Sequence, residues 1–305
     1  LRLYHPWVFS GAISKVEGKP GEGSIVEVFS SEGDYLATGH FHDGSIKVRL
    51  FSFEQTTAGE DFWFSKIKNA YALRERLGLV NNELTNVYRL IHAEGDGLPG
   101  LIIDIYGEVA VIQSHTVGMH EVKGQICEAL KKVYGKKLHT IYDKSADTMS
   151  KQSSIKAEDG FLMGDCSELT VKENGLLFKV NWVEGQKTGF FIDQRENRAL
   201  LGSYCKDKKV LNTFSYSGGF SMYALEAGAK FVHSVDSSKK AEALAIENAK
   251  LNEVSDRHQF FALDAFDFLK SAEEKYEVIV LDPPAFAKHL SSVDKAMIGY
   301  RNLNT

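Results

Sequence analysis

The stretch that most constrains this chain is Lys209 to Asp236, KVLNTFSYSGGFSMYALEAGAKFVHSVD. Val210 and Leu211 begin a short apolar run that reads as a strand, and the run ends in the loop Phe214-Ser215-Tyr216-Ser217-Gly218-Gly219. Small and apolar residues from Phe220 to Gly228 predict a tightly packed helix. Phe231 to Val235 predicts a second strand, with Asp236 at its end. Strand, glycine loop, helix, strand and acid together make the nucleotide-binding half of a doubly wound α/β sheet. Glycine lets backbone approach a ligand without a Cβ in the way, and a helix N-terminus offers unpaired N–H groups. Gly218 and Asp236 are 18 residues apart, close to the spacing of about 20 at which a carboxylate meets ribose hydroxyls.

The glycines are adjacent and not spaced as G-x-G-x-x-G, so a plain βαβ turn is the competing reading of the loop alone. Downstream residues favour a ligand site. Phe260 to Ala265 ends a third strand with Asp264, and Tyr276 to Leu281 forms a fourth, closing on Asp282-Pro283-Pro284-Ala285-Phe286. Three acids thus follow three strands, at the edge where open α/β sheets bind ligands.

At 305 residues the chain is long enough for two or three domains. No run approaches the 18 apolar residues of a membrane span, and the opening residues, Leu1 to Trp7, lack the charged head and apolar core of a signal peptide. Cys127, Cys166 and Cys205 form no C-x-x-C pair, so a reduced, cytoplasmic protein without a metal site is expected. With 36 basic and 41 acidic residues, and no third of the chain basic, charge alone does not point to nucleic acid.

Residues 1 to about 55 read as short strands with Gly-rich turns, a small barrel. In Ile46 to Phe53, Lys47 and Arg49 share one strand face that could meet phosphate, and a solvated face is the simpler reading. Phe62 to Leu79 predicts a linker helix. Val87 to Tyr142 reads as strand, turn, strand, strand, helix, strand, with the helix over His120 to Tyr134. Asp147 to Asp159 is polar and aperiodic and reads as a mobile loop. Leu169 to Glu173 and Leu176 to Trp182 form a hairpin about Asn174-Gly175. Gly185 to Arg198, with Phe190 and Phe191, leads into a helix ending near Ser203; its aromatics suit either a cover over a bound nucleoside or a hydrophobic staple.

HPWVFSGAI (5–13), RLIHAEGDGLPGLIIDIYG (89–107), KTGFFIDQRENR (187–198), LNTFSYSGGFS (211–221) and LDPPAFAK (281–288) together resemble one family. It is the bacterial and archaeal S-adenosylmethionine-dependent ribosomal RNA methyltransferase family that makes 5-methylcytosine in large-subunit RNA. The resemblance spans essentially the whole chain. It implies a PUA-type β-barrel over 1–62, a linker helix and α/β middle domain with a hairpin over 63–183, and a Rossmann-like methyltransferase domain over 184–305. In such a domain Tyr216, Ser217 and Gly218 would line the methionine part of S-adenosylmethionine. Asp236 would hold the ribose hydroxyls, with Ser237 beside the adenine. Asp264, backed by Ala265, would accept the adenine amino group, Phe191 would help close the site, and Asp282 and Pro283 would sit between the methyl group and the base. The barrel implies an RNA partner, contacted over barrel and middle domain together, with Lys47 and Arg49 as candidates. A homodimer is a further expectation.

A neighbouring family with a similar TGFF-D-R and DPP set makes 7-methylguanine, which is the alternative product. A binding protein without transferase activity is the alternative of another class. Amine methylation is disfavoured because the aromatic, Phe286, stands one place too late after Asp282-Pro283-Pro284. Carbon methylation needs a cysteine to add to C6 first, and none of the three cysteines is placed for it. With four strands from Val210 on, further strands and the nucleophilic cysteine are expected beyond Thr305. On this reading the domain is truncated after its fourth strand, and Leu1 is a clipped start. Asp282 is the catalytic candidate within the chain.

Overall fold

The computed structural model describes residues 4–149, 153, 155–287 and 289–305. Leu1, the final Lys288 of the last motif, part of the loop predicted at 147–159 and everything expected past Thr305 lie outside the described residues. The chain divides into two compact units, the first Leu1–Lys172 with Val180–Ile192 and the second Glu173–Lys179 with Asp193–Thr305.

The first unit opens with an antiparallel sheet of order β1-β4-β3-β2, formed by β1 (Trp7–Phe9), β2 (Ile25–Phe29), β3 (Tyr35–Phe41) and β4 (Ile46–Ser52). Alternating side chains bury Val8, Ala37, Val48 and Leu50 in a small core. Helix α1 (Glu60–Arg76) then buries Trp63, Ile67 and Ala70 on one stripe. It leads to a five-stranded sheet of order β5-β6-β7-β8-β9, with β5 (Val87–His92), β6 (Leu101–Tyr106), β7 (Val109–Ser114), β8 (Thr140–Asp143) and β9 (Gly160–Met163). The β7–β8 pair is parallel, and such a pair requires a crossover. Two helices supply it, α2 (Val117–Glu121) and α3 (Lys123–Tyr134). Trp63, Ile67, Leu90, Ile103, Ile112, Ile126 and Leu130 join α1, α3 and the sheet in one core.

Two features depart from the sequence reading. The helix foreseen from His120 starts earlier and breaks at Val122, because Thr116 caps a first helix by accepting from the Met119 amide. Strand β9, antiparallel to β8, is a short run with no alternation to announce it.

The hairpin of β10 (Glu168–Glu173) and β11 (Leu176–Asn181) turns at Asn174 and Gly175, both at positive φ, as a two-residue hairpin turn requires. Its tip, Glu173–Lys179, belongs to the second unit. There α4 (Arg195–Gly202) precedes β12 (Lys209–Thr213), α5 (Gly219–Glu226), β13 (Phe231–Val235), α6 (Lys239–Leu251), β14 (His258–Phe261), α7 (Ala265–Ser271), β15 (Val278–Leu281) and α8 (Val293–Asn304). The four strands are parallel, in the order β14-β13-β12-β15. The order reverses between β12 and β15, the switch point outside whose carboxyl ends doubly wound sheets bind ligands. One face packs Leu211 and Val235 against Ala265 and Phe268 of α7. The other is threaded by a buried polar chain: Asn212 Nδ2 donates to Ser221 Oγ (2.9 Å), Ser221 meets Ser234 (2.7 Å), and Ser234 meets His258 Nε2 (2.8 Å).

Two histidines, His40 buried and His258 half-buried, tie stability to pH. Burial lowers His40 from 6.5 to about 4, and His258 likewise to about 4, with His233 adding to the effect. His40 lies edge-on to Phe51 and stacks on Trp63, and its Nε2 finds no hydrogen-bond partner among the described residues. Above pH 6.5 both groups are neutral, folded or unfolded. Between pH 6.5 and about 4 only the unfolded chain takes up the protons, so stability falls as pH falls through that window, by about 3 kcal/mol per histidine over its full width. Urea melts at pH 7 and pH 5 should show this loss, and His40→Phe, which sacrifices no hydrogen bond at Nε2, should flatten it. An unchanged pH dependence in that variant would remove His40 as a cause.

Candidate functional site

The site is built on the turn between β12 and α5. Phe214, Tyr216 and Gly218 all take positive φ, at 52°, 45° and 75°. This is a costly run for side chains, so something must hold it. Asp236, just past β13, supplies one restraint: its Oδ2 accepts from the Tyr216 amide (3.0 Å), while Oδ1 accepts from the Ser238 amide (2.9 Å). Asn248 of α6 supplies a second by donating to the Ser217 carbonyl (2.8 Å). Packing supplies the third. A Cβ at Gly218 would lie 3.2 Å from Ala245 Cβ, and one at Gly219 would lie 3.1 Å from Arg198 Cδ. The two adjacent glycines are therefore explained by close approach of α6 and α4, without a third for a pyrophosphate turn.

Arg198 beneath the loop is buried, and so is its partner. Glu173 accepts from Arg198 Nε (3.0 Å) and Nη2 (2.7 and 2.9 Å), from Arg195 Nε (3.3 Å) and from the Tyr223 hydroxyl (3.0 Å). Asn248 and Asn252, one turn apart on α6, also hold the hairpin tip. Asn248 accepts from the Lys179 amide (2.8 Å), and Asn252 both accepts from and donates to the backbone of Leu177 (2.8 and 2.7 Å).

Asp264 caps α7, its Oδ1 accepting from the Phe266 and Asp267 amides (2.8 and 3.3 Å). Ala265 is buried. Asp282 follows β15, and its carboxyl pKa is raised, first by burial and then by the nearby carboxylate of Asp193. Phe286 packs on Tyr300 at 4.6 Å between ring centroids and lies near Phe266, with Gly299 against its ring. It is committed to α8. Ser237 is exposed beside Asp236.

Tyr216, Ser217, Gly218, Asp236 and Ser237 are thus brought together around one turn. Asp264 and Ala265, and Asp282 and Pro283, follow the neighbouring strands β14 and β15. Phe191 falls within the first unit. Lys47 and Arg49 are in the barrel, where Lys47 pairs with Asp43 (2.9 Å) and lies over Phe41, while Arg49 lies over the Trp7 ring. Sequence reasoning missed Asp193, Arg198, Glu173 and Asn248. The readable signal for Asn248 is a polar residue set within the alanine stripe 241, 245, 249. Among the described residues no helix is long and apolar enough to cross a membrane, and no group of three His, Cys, Asp or Glu could hold a metal ion.

The loops at this edge carry Asp193, Asp236, Asp264 and Asp282. Carboxylates repel a dinucleotide pyrophosphate and favour a cationic ligand, and S-adenosylmethionine, with its sulfonium, fits that charge. Comparisons with known proteins agree. A family of PUA-like domains matches residues 1–53, and the S-adenosylmethionine-dependent methyltransferase family matches residues 152–302. A curated relative from Aliivibrio fischeri, named ribosomal RNA large subunit methyltransferase I, is 38% identical over 312 residues, which cover 100% of this chain and 78% of that protein. One of the same name from Vibrio cholerae is 39% identical over 313 residues, with the same coverage of both chains. A methyltransferase crystal structure complexed with SAH superposes with a TM-score of 0.83 at 25% identity, covering 99% of this chain and 79% of that one. An S-adenosylmethionine-dependent methyltransferase from Streptococcus mutans shares the fold at a TM-score of 0.78 and 24% identity, over 96% of this chain and 78% of that one. With relatives this similar over the full chain, and with a strained glycine turn pinned by Asp236 at the sheet's switch point, the chain belongs to the ribosomal RNA large subunit methyltransferase I family of S-adenosylmethionine-dependent methyltransferases.

Proposed function

We propose that this chain methylates C5 of a cytosine in large-subunit ribosomal RNA, the RNA named in its relatives. One observation carries the choice of atom: Asp282, at the switch point, has a carboxyl pKa raised by burial and by Asp193. A pyrimidine C5 is a weak nucleophile and becomes reactive once a thiolate adds to C6. That addition is eased by a hydrogen bond or proton donated at the ring N3, and a carboxyl group with a raised pKa gives up its proton to a ring nitrogen at higher pH than an ordinary carboxylate does. Guanine N7 is already nucleophilic and needs neither. Phe286, turned into α8, is unavailable to stack on an exocyclic amine. The C5–CH3 bond would form as the sulfonium S–CH3 bond breaks; the C5 proton then leaves to a base, the C6–S bond breaks to release the thiolate, and the N3 proton returns to the Asp282 carboxylate.

The thiolate is not one of the buried cysteines. Burial raises the pKa of both Cys127 and Cys205, the reverse of what a nucleophile needs. Cys205 also lies ahead of β12, at the strand end opposite Asp236, and the Cys166 thiol is engaged with the Glu168 carbonyl (3.1 Å). The nucleophile on this reading belongs to none of these positions.

When bound, S-adenosylmethionine supplies the electrophilic methyl group. For this chain's residues we assign the methionine part to Tyr216, Ser217 and Gly218, and the ribose to Asp236 beside Ser237. Each Asp236 oxygen already accepts one backbone N–H and retains a lone pair for one ribose hydroxyl. Asp264 uses one oxygen as a helix cap, and its other suits the adenine amine, with Ala265 behind it. Pro283, with Asp282, is assigned to the place between the methyl group and the base.

Labelled S-adenosylmethionine and large-subunit RNA from cells lacking this protein should give 5-methylcytidine on nucleoside mass analysis. 7-Methylguanosine would establish the alternative product, and binding without transfer would leave a binding protein. Asp236→Ala should weaken cofactor binding at least tenfold, since each charge-assisted hydrogen bond contributes about 1.5–3 kcal/mol; unchanged affinity by calorimetry would sink that assignment. Asp193→Asn removes a like charge, so the Asp282 carboxyl should titrate at lower pH, as followed by carboxyl carbon NMR shifts. An unmoved midpoint would separate the two acids.

A further inference from the structure

The chain is net acidic at −5, yet the first unit gathers cations from positions far apart in sequence. Arg49 stands on β4, 5.5 Å from the Trp7 ring centroid. Its ion pair with Glu94 is long, at 3.6 Å, and its side chain is 20% exposed. Glu94 spends its Oε1 on the Trp7 indole as well (2.8 Å). Arg49 Nε finds no partner among the described residues, and burial holds the Arg49 pKa down despite Glu94. This is a cation only partly compensated.

Two more cations are set by one buried acid. Asp104 on β6 accepts both Arg89 Nε (2.8 Å) and Arg89 Nη2 (3.0 Å), and also the Thr188 hydroxyl (2.6 Å). Thr188 in turn meets the Tyr106 hydroxyl (2.7 Å). Fixing Thr188 fixes its neighbour Lys187, which is exposed and left-handed at φ 53°. Asp104 itself is fully buried, whereas the Arg89 side chain is 33% exposed, and its Nη1 lies 3.4 Å from His92 Nδ1. His115, just past β7, is lowered in pKa first by burial and then by the charges of Arg89, Lys187 and Arg49, with Glu94 alone opposing, so all three cations lie within electrostatic reach of one side chain.

We propose that Arg49, Arg89 and Lys187 form a phosphate-binding cluster that grips the backbone of the RNA substrate, an inference that rests on the RNA reading above. The three come from the barrel, from β5 and from the loop six residues ahead of Asp193 in the chain. Lys and Arg that neutralise phosphates release condensed counterions, and the salt dependence of binding counts the contacts. An indole already paired with a guanidinium, Trp7 with Arg49, adds a surface on which an unpaired base stacks.

The test is fluorescence anisotropy of a large-subunit RNA oligonucleotide on the full-length protein, over a series of salt concentrations. Lys187→Ala and Arg49→Gln should each weaken binding several-fold and reduce the slope of log K against log salt by about 0.7–0.9, with cofactor affinity by calorimetry unchanged. Lys187 is exposed, so its variant tests the cluster even if Arg49→Gln perturbs the barrel. Glu94→Gln removes the opposing carboxylate and should tighten RNA binding. Slopes that match wild type in both cation variants overturn the cluster while leaving the RNA reading intact. Wild-type protein that binds no RNA removes both. Inorganic phosphate that displaces the RNA better than chloride at equal ionic strength marks a site for a free anion and overturns the assignment to an RNA backbone.

Discussion

The second unit depends on one buried amide. Asn248 donates to the Ser217 carbonyl and accepts from the Lys179 amide, so one side chain joins the ligand turn, helix α6 and the hairpin tip. A buried polar group left unsatisfied costs about 1–3 kcal/mol. Leucine would fill the space and make neither bond. Asn252 repeats the device one helical turn later, meeting both backbone polar groups of Leu177. Together the two amides let a helix flank do what a neighbouring strand would do, and this draws residues 173–179 into a unit that otherwise begins at Asp193.

The same hairpin tip carries the charge on which the loop rests. Glu173 is fully buried and meets Arg195, Arg198 and Tyr223. Three donor residues on one carboxylate meet the condition under which a buried ion pair is tolerated. Arg198 is then held rigid, and its aliphatic stem closes on Gly219. The strained turn between β12 and α5 is thus supported from two sides, by an amide at Ser217 and by a guanidinium stem at Gly219. Its amides and carbonyls are oriented before any ligand arrives, which reduces the ordering cost of binding.

The elements of this site were legible because each has a local signature. Asn174-Gly175 announces its turn, Gly218 its close approach, and Asp236 its place after a strand. The pattern of strands and acids from Val210 to Asp282 announced the sheet and the edge at which its acids lie, although the strand order came from the parallel pairing itself. What escaped has no local signature. The α2–α3 break depends on Thr116 capping one helix turn, and β9 is four residues that gain strand geometry only by pairing with β8. Asp193 matters through its charge on Asp282, 89 positions later. Glu173 looks like a strand-end surface acid until the fold buries it. In each case the deciding partner is remote in sequence.

Charge shows the same limit most sharply. Averaged over any third of the chain, acids and bases nearly cancel, and charge so averaged offers a polyanion partner nothing to bind. Averaging, however, treats a buried, paired acid and an exposed one as equal. Asp104 is fully buried and Asp96 almost so, each closed by a bidentate arginine, so their charges are spent inside the fold. Lys187 stays at the surface. Folding therefore sorts the charges: carboxylates turn inward as hydrogen-bond hubs in the first unit, while in the second Asp193, Asp236, Asp264 and Asp282 collect at the sheet edge. A cationic methyl donor and a polyanionic substrate call for surfaces of opposite sign. A chain of balanced composition can offer both only by separating its charges in three dimensions, and the buried bond from Asp104 to Arg89 and Thr188 is one place where that separation is made.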